Sequence, residues 1–534
     1  MINKKNKNRQ FNIFYTAAFC GVLFGVLFGQ PVFSEESKAF NLVTVVDNFL
    51  NLDGESKSAY ESLDEKTRQR QEFIETTRRF NQGNVSVAYN DYSKIISEMD
   101  NDIALLVFSK SMYEIGFFTL GDVAISKVKN QPYFQKQIEN LQNSYKDNYP
   151  LDKQEEIYLA KAYASIYFDN TPEETAFDLS KKSGLLEKSD YANFIMAQAL
   201  NESRQYQQAL MFVDEAVKKN PKNPNYISYK IKILDKAGKS KEALKLLEKY
   251  EYSDIVTAEF KNKFLIQKEN ILANLTNNDN EKKFHMINVI YLEGDYYRVI
   301  NECQNILNFN KNNYKILTLQ AQSQLNTGKG DLAKKNLLLS YDINKKYAPT
   351  LASLGDILFM EGKSDDAIEY YKKAMKADKN NLLIKMKLLA AYKNTPGYEK
   401  NLISFEKQIK PQIDGKNLFY ENYTIAISTL KNNKKLRREY LLKSLEQNLM
   451  FEGAQNAYLA YLNENKRQKA LQNFLYMISF VNNFNYVHYY YRGIIEMALG
   501  NLDLAKINMR HCISLNPFYE PADKFLAEIE KDVM

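Results

Sequence analysis

His285, His488 and His511 are the histidines of this chain, and Cys20, Cys303 and Cys512 are its cysteines. These side chains carry most metal and nucleophilic chemistry, so their spacing decides what they can do. No histidine has a second histidine or a carboxylate at the spacing of an HExxH site, and no CxxC pair occurs. His511 adjoins Cys512, but adjacent residues on a helix face different directions, so adjacency makes no Cys–His pair. Cys303 and Cys512 fall where an amphipathic pattern requires burial, which reads as inert core thiols. The tripeptide GKS occurs in AGKSKEA and in EGKSDDA. A phosphate-binding loop needs another glycine five residues earlier and a strand before it, but Ile233 and Ile357 stand at those places. Glu and Asp are abundant but lie among lysines on solvated helix faces, with no pair set apart for acid–base work. The expectation is a protein that is not an enzyme, with no catalytic residue, no metal site and no cofactor.

One aromatic cluster invites a binding role. In YVHYYYRG, residues 486–493, Tyr489 and Tyr490 are adjacent on a helical pattern, so the cluster either packs in the core or leaves Tyr490 to contribute to partner binding. Basic residues interleaved with aromatics can bind single strands. Charge argues against that here. The net charge is +7, and four of the 72 basic residues (Lys4, Lys5, Lys7 and Arg9) precede the first acidic residue at position 35. That leaves 68 basic against 65 acidic residues, a nearly neutral body with no electrostatic call on nucleic acid.

The elements that would position any site are helical. With 19 Gly and 11 Pro in 534 residues, the chain favours long helices joined by short turns. It is also too long for one compact core, which points to several domains or a repeat array. The segment GKSDDAIEYYKKAMKAD from Gly362 recurs 34 residues earlier at Gly328 and 34 before that at Gly294; related segments start at Gly83, Gly238 and Gly500. A helical pattern precedes each, as in APTLASLGDILFME with Leu351, Leu354, Gly355 and Leu358 on one face. The unit is helix, turn, helix at a 34-residue period.

On these residues the chain resembles the tetratricopeptide repeat (TPR) family. The family keeps small residues in the middle of the first helix and early and late in the second. Here those sites read Gly355, Ala367 and Ala374; Ala197, Ala209 and Ala216; Ala321, Ala333 and Ser340; and Gly493, Ala505 and Cys512. Ile287, Val299 and Ile306 replace them in the repeat from 280. The resemblance implies an all-α solenoid, a right-handed superhelix of antiparallel helix pairs whose first helices line a concave groove. It also implies groove positions at Phe194, Gln198, Asn201, Asn225, Ser228, Lys232, Phe284, Asn288, Tyr291, Lys315, Thr318, Gln322, Asp356, Phe359 and Tyr490. Some relatives clamp a peptide carboxylate with Lys and Asn. Asn288 fits one such place, but Phe284 stands where the lysine belongs.

KKNKNRQ followed by the apolar run 11–29 reads as an export signal or an anchor, with Val32 and Ser34 suited to cleavage after Ser34. Either reading sends the body across the membrane. The expected organisation is a signal peptide or anchor at 1–34, degenerate helical repeats at 35–189, a central array at 190–381, degenerate repeats at 382–450, and C-terminal repeats with a solvating cap at 451–534. An extra helix is expected at 257–275 and a first helix at 39–50. The functional expectation is a periplasmic or inner-membrane-anchored scaffold for protein partners, possible fellow subunits of an envelope machine such as a flagellar-motor collar. Membrane contact is expected only through residues 11–29, if they are uncleaved. The competing reading is a glycan or peptidoglycan-binding module.

Overall fold

The computed structural model describes residues 65–250, 253, 258–414, 418–430, 432–481 and 485–531. The expectations for the leader, Cys20 and the 39–50 helix lie outside the described residues. Twenty-eight helices follow one another, and no strand occurs among the described residues.

In the N-terminal part these are α1 (Glu65–Asn81), α2 (Val85–Glu98), α3 (Asp102–Glu114), α4 (Phe118–Ser126), α5 (Gln131–Tyr145), α6 (Lys153–Tyr167), α7 (Pro172–Ser180) and α8 (Ser183–Lys188). The central run is α9 (Asp190–Glu202), α10 (Tyr206–Lys219), α11 (Pro224–Lys236), α12 (Ser240–Tyr250), α13 (Ala258–Leu275), α14 (Asp279–Leu292), α15 (Tyr296–Phe309), α16 (Tyr314–Asn326), α17 (Gly330–Ile343), α18 (Ala348–Met360) and α19 (Ser364–Ala377). Then come α20 (Leu382–Lys393), α21 (Glu399–Ile413), α22 (Phe419–Ile427), α23 (Lys434–Gln447), α24 (Glu452–Glu464), α25 (Gln468–Ile478), α26 (Tyr486–Ala498), α27 (Leu502–Leu515) and α28 (Glu520–Lys531). The extra helix expected at 257–275 is α13.

A left-handed residue marks the turn inside most of the helix pairs. Gly83, Gly116, Gly238, Gly294, Gly328, Gly362, Gly397 and Gly500 have φ between 76° and 88°, while Asn170, Arg204 and Lys466 adopt φ of 53°, 59° and 54°. Glycine is the easy solution because it has no Cβ to clash. The three other residues accept a strained conformation for the sake of the same turn. These positions extend the pairing through both stretches that look degenerate in sequence. At the far end of five second helices the chain also repeats itself: Asn220, Asn310, Asn344, Asp378 and Asn516 cap with φ from −133° to −139°.

Packing follows from paired volumes. A Cβ built on Gly355 would lie 2.7 Å from the Tyr371 ring, and one on Gly493 would lie 2.6 Å from Met509 Cε. The glycine therefore makes room for the large residue on the partner helix. The same register reads Ala321 with Leu337, Ala197 with Val213, and Ile287 with Cys303. The repeat with the largest first-helix residue of these thus has the smallest second-helix partner after glycine and alanine are lost. Ile231 with Leu247 makes no such trade. Ala197, Ala209, Ala216, Ala321, Ala333, Ala367, Ala374, Ala505 and Cys512 are all fully buried, and Gly355 and Gly493 are buried with them.

The solenoid closes on itself. Phe480, which follows α25, packs edge-on against Phe73 of α1 with ring centroids 5.5 Å apart and lies 6.2 Å from Phe108 of α3. Ser111 Oγ donates to the Phe480 carbonyl (2.7 Å), and Tyr476 OH donates to Gln69 Oε1 (2.7 Å). Further round, Gln137 of α5 donates to the Glu446 carbonyl (2.8 Å), the Tyr296 and Tyr423 hydroxyls meet at 2.9 Å, and Lys329 pairs with Glu520 (2.8 Å). The terminal helix α28 exposes Asp523, Lys524, Glu528 and Glu530 as a cap should. Its N-terminal end also ties the last repeat to the central ones, with Tyr519 edge-on to Tyr297 at 5.6 Å.

Candidate functional site

The fifteen positions expected to line a groove on the first helices are all at least partly covered by the chain itself. Phe194, Gln198, Asn201, Ser228, Thr318 and Asp356 are buried. Asn225, Lys232, Phe284, Asn288, Tyr291, Lys315, Gln322, Phe359 and Tyr490 are half-buried, so none of the fifteen is fully exposed.

Two groups of these residues stay together. On α9 and α11, Phe194 packs tilted against Tyr226 (4.8 Å) and meets Tyr229 edge-on (5.2 Å). Asn201 Nδ2 donates to the Tyr229 hydroxyl (3.0 Å), and the Lys232 ammonium sits 5.3 Å from the same ring. Asn225 accepts from Lys263 of α13 (3.4 Å), while the Ser228 carbonyl accepts from Gln267 (2.9 Å). The extra helix α13 therefore covers this part of the groove. On α14 and α16, Lys315 is held by Glu281 (2.7 Å) and lies 5.3 Å from the centre of the Phe284 ring. Phe284 replaces the clamp lysine, and the nearby lysine already has its counter-ion.

Other predicted positions are committed to packing between repeats. Thr318 Oγ1 forms a hydroxyl triangle with Ser340 (2.8 Å) and Thr350 (2.7 Å). Gln322 donates to Ser353 Oγ (3.0 Å). Asp356 receives Lys387 Nζ (2.5 Å), the Tyr371 hydroxyl (2.7 Å) and Thr429 Oγ1 (3.1 Å), so one carboxylate joins α18, α19, α20 and the end of α22. Tyr291 packs at a tilt against Tyr296 (5.3 Å), and burial holds its hydroxyl well above the usual tyrosine range. Phe359 packs on the cluster around Leu388 and Phe405. Tyr490 meets Tyr519 (5.2 Å) and Phe525 (6.4 Å), so it holds the terminal helix.

Groups with chemical potential behave as structure. The Cys303 and Cys512 thiols are buried, and burial pushes both well above the usual thiol range. Gly238 and Gly362 of the GKS segments make inter-helix turns. Among the described residues no group of His, Cys, Asp and Glu has the makings of a metal site.

Three constellations were not legible from spacing. His285 Nδ1 lies 2.6 Å from Glu269 Oε2, brought there by the α13–α14 hairpin. Asp147 and Asp190 form a buried carboxyl pair: Asp190 accepts from Asn148 N (2.8 Å) and Asn220 Nδ2 (2.8 Å), and Ser189 Oγ donates to Asp147. Burial first, and the adjoining Asp190 second, raise Asp147 to about 8. At the closure, burial and the nearby Arg70 lower His488 to about 3 and His511 to about 4.

No family model and no curated protein matches the chain. Among solved structures, the TPR protein TTC0263 of Thermus thermophilus aligns at 14% identity over 38% of this chain and 98% of its own, with a TM-score of 0.18. Yeast Tom70 aligns at 13% identity over 71% of this chain and 97% of its own, with a TM-score of 0.27. The Cut9 complex with Hcn1 aligns at 13% identity over 87% and 90%, with a TM-score of 0.28. By its own repeat length, left-handed turns and small-to-large helix packing, the chain folds as an all-α solenoid of the tetratricopeptide repeat type.

Proposed function

We propose that this chain is a non-enzymatic scaffold for protein–protein interaction in the bacterial envelope. The observation that carries the reading is the partition of the groove. The half-buried positions, among them Lys232, Phe284 and Asn288, keep part of their surface exposed, whereas Thr318 and Asp356 are sealed by neighbouring repeats. A mixed polar and aromatic wall of this kind suits a peptide segment or a helix of a protein partner. A closed solenoid also holds its outer helices in fixed relation, which suits a subunit around which others assemble. The envelope setting is supported by the basic start and apolar run of residues 1–34.

Photo-crosslinking residues placed at Lys232, Phe284 and Asn288 in cells should yield adducts with protein partners, while the same probe at exposed second-helix positions should not. Adducts formed only from the outer helices would move the binding surface there. Alkaline phosphatase fused after residue 60 should be active, because it folds only outside the cytoplasm; an inactive fusion would remove the envelope setting.

A further inference from the structure

Three successive second helices end in the same way. α15, α17 and α19 close on Asn310, Asn344 and Asp378, with φ of −133°, −138° and −134°. Matching backbone at a 34-residue interval sets the flanking residues in rows. Before the caps stand Phe309, Ile343 and Ala377; after them stand Lys311, Lys345 and Lys379, and all six are exposed. Phe309 is 95% exposed and Ile343 43%. In the unit of α10, the position of Phe309 is held by Lys219, as a solvated helix end would favour. Lys346 and Lys376 extend the basic row, against Asp342 and Asp378. None of these five lysines makes an ion pair among the described residues.

We propose that this edge of the solenoid docks on an anionic membrane surface. The lysine row meets the acidic headgroups, and Phe309 and Ile343 enter the boundary between headgroups and acyl chains. The pairing of rows selects the occupant. An acidic polymer would engage the lysines and leave Ile343 and Phe309 in water. A second copy placed face to face would oppose one lysine row to another. An acidic bilayer satisfies both rows at once.

The chain contains no tryptophan, so Phe309→Trp makes the edge report on itself. With the full chain and vesicles of phosphatidylcholine containing phosphatidylglycerol, its emission should shift to the blue and become shielded from an aqueous quencher. The shift should shrink as salt is added. It should be lost when Lys311, Lys345 and Lys379 are also changed to Glu. Phe177→Trp, on an exposed residue of α7, should not shift, which separates docking at this edge from attachment through residues 11–29. Circular dichroism checks that the charge-reversed chain is folded; if it is not, the salt dependence of the single Phe309→Trp chain decides. The proposal is overturned by an unshifted emission, by an equal shift with phosphatidylcholine alone or with heparin, or by a shift that follows protein concentration without vesicles.

Discussion

The stack of repeats and the closure between its ends are held by different physics. Within the stack, one solution recurs: a small residue on the first helix admits a larger one on the second, as Gly355 admits Tyr371. At the closure nothing recurs. Phe480 packs between Phe73 and Phe108, Tyr476 bonds to Gln69, and Arg70 sits 5.8 Å from the centre of the Tyr489 ring beside the buried Arg492–Glu496 pair (2.7 Å). The stack is thus a sum of near-equivalent neighbour contacts, each replaceable. The closure is a single assembly of aromatic and ionisable groups, sensitive to one substitution or to pH.

Removing the aromatic plug should break the comparison most sharply. Phe480→Ala should cost about 3–5 kcal/mol at the closure. Hydrogen exchange should quicken in α1, α3 and α25, while α16–α19 stay protected; uniform loss of protection would mean that stack and closure unfold as one. Acidification tests the same division by charge. His488 and His511 sit far below the ordinary histidine value of 6.5, mainly through burial, so the unfolded chain takes up protons first as pH falls below 6.5. Stability contributed by these neutral rings is present above pH 6.5 and is lost toward pH 4, at about 1.4 kcal/mol per pH unit for each ring. Asp147 has the opposite sign. Its folded value of about 8 lies above the ordinary 3.8, so the α5–α9 junction is most stable below pH 4 and weakens as pH rises to 8. Exchange measured between pH 7 and 5 should therefore loosen the closure and tighten the 147–190 junction; a parallel response at both would refute the assignment.

Smaller effects sharpen the rule for the stack. Ala367→Leu should destabilise by about 1–3 kcal/mol, and Gly355→Ile by at least as much within that range, because each enters a filled contact. Adding Tyr371→Cys to Gly355→Ile recreates the Ile287 and Cys303 pairing and should restore part of the melting temperature. Failure to restore any of it would show that volume is not exchanged between these sites. Smallest of all, Arg204→Gly should stabilise by up to about 1 kcal/mol, since it relieves a left-handed residue but adds chain entropy.

Much of the fold was legible because TPR-type packing writes itself locally. Glycine at 294, 328 and 362, and small residues at contact sites such as Ala321, Ala333, Ser340 and Gly355, disclosed the central helix pairs and their register. The turns at Asn170, Arg204 and Lys466 were less visible, since a left-handed turn prefers glycine but does not demand it. The candidate site was legible only in part. Register placed Phe194, Ser228 and Asp356 on the first helices, but it could not tell a groove position facing solvent from one covered by α13 or by Thr429. Cover of that kind comes from segments tens of residues away.

The sequence by itself determined the period, the helix pairs and the sites of close approach, because each depends on residues within about one repeat. The tertiary structure alone decided that the coil closes, which groove residues it seals, and which histidines and carboxyls lose their water. Those outcomes rest on contacts such as Gln69 with Tyr476, 407 positions apart, which no periodic pattern encodes. A repeat fixes how each unit sits on the next, whereas closure depends on small angles summed over many units and on the particular side chains that meet at the end.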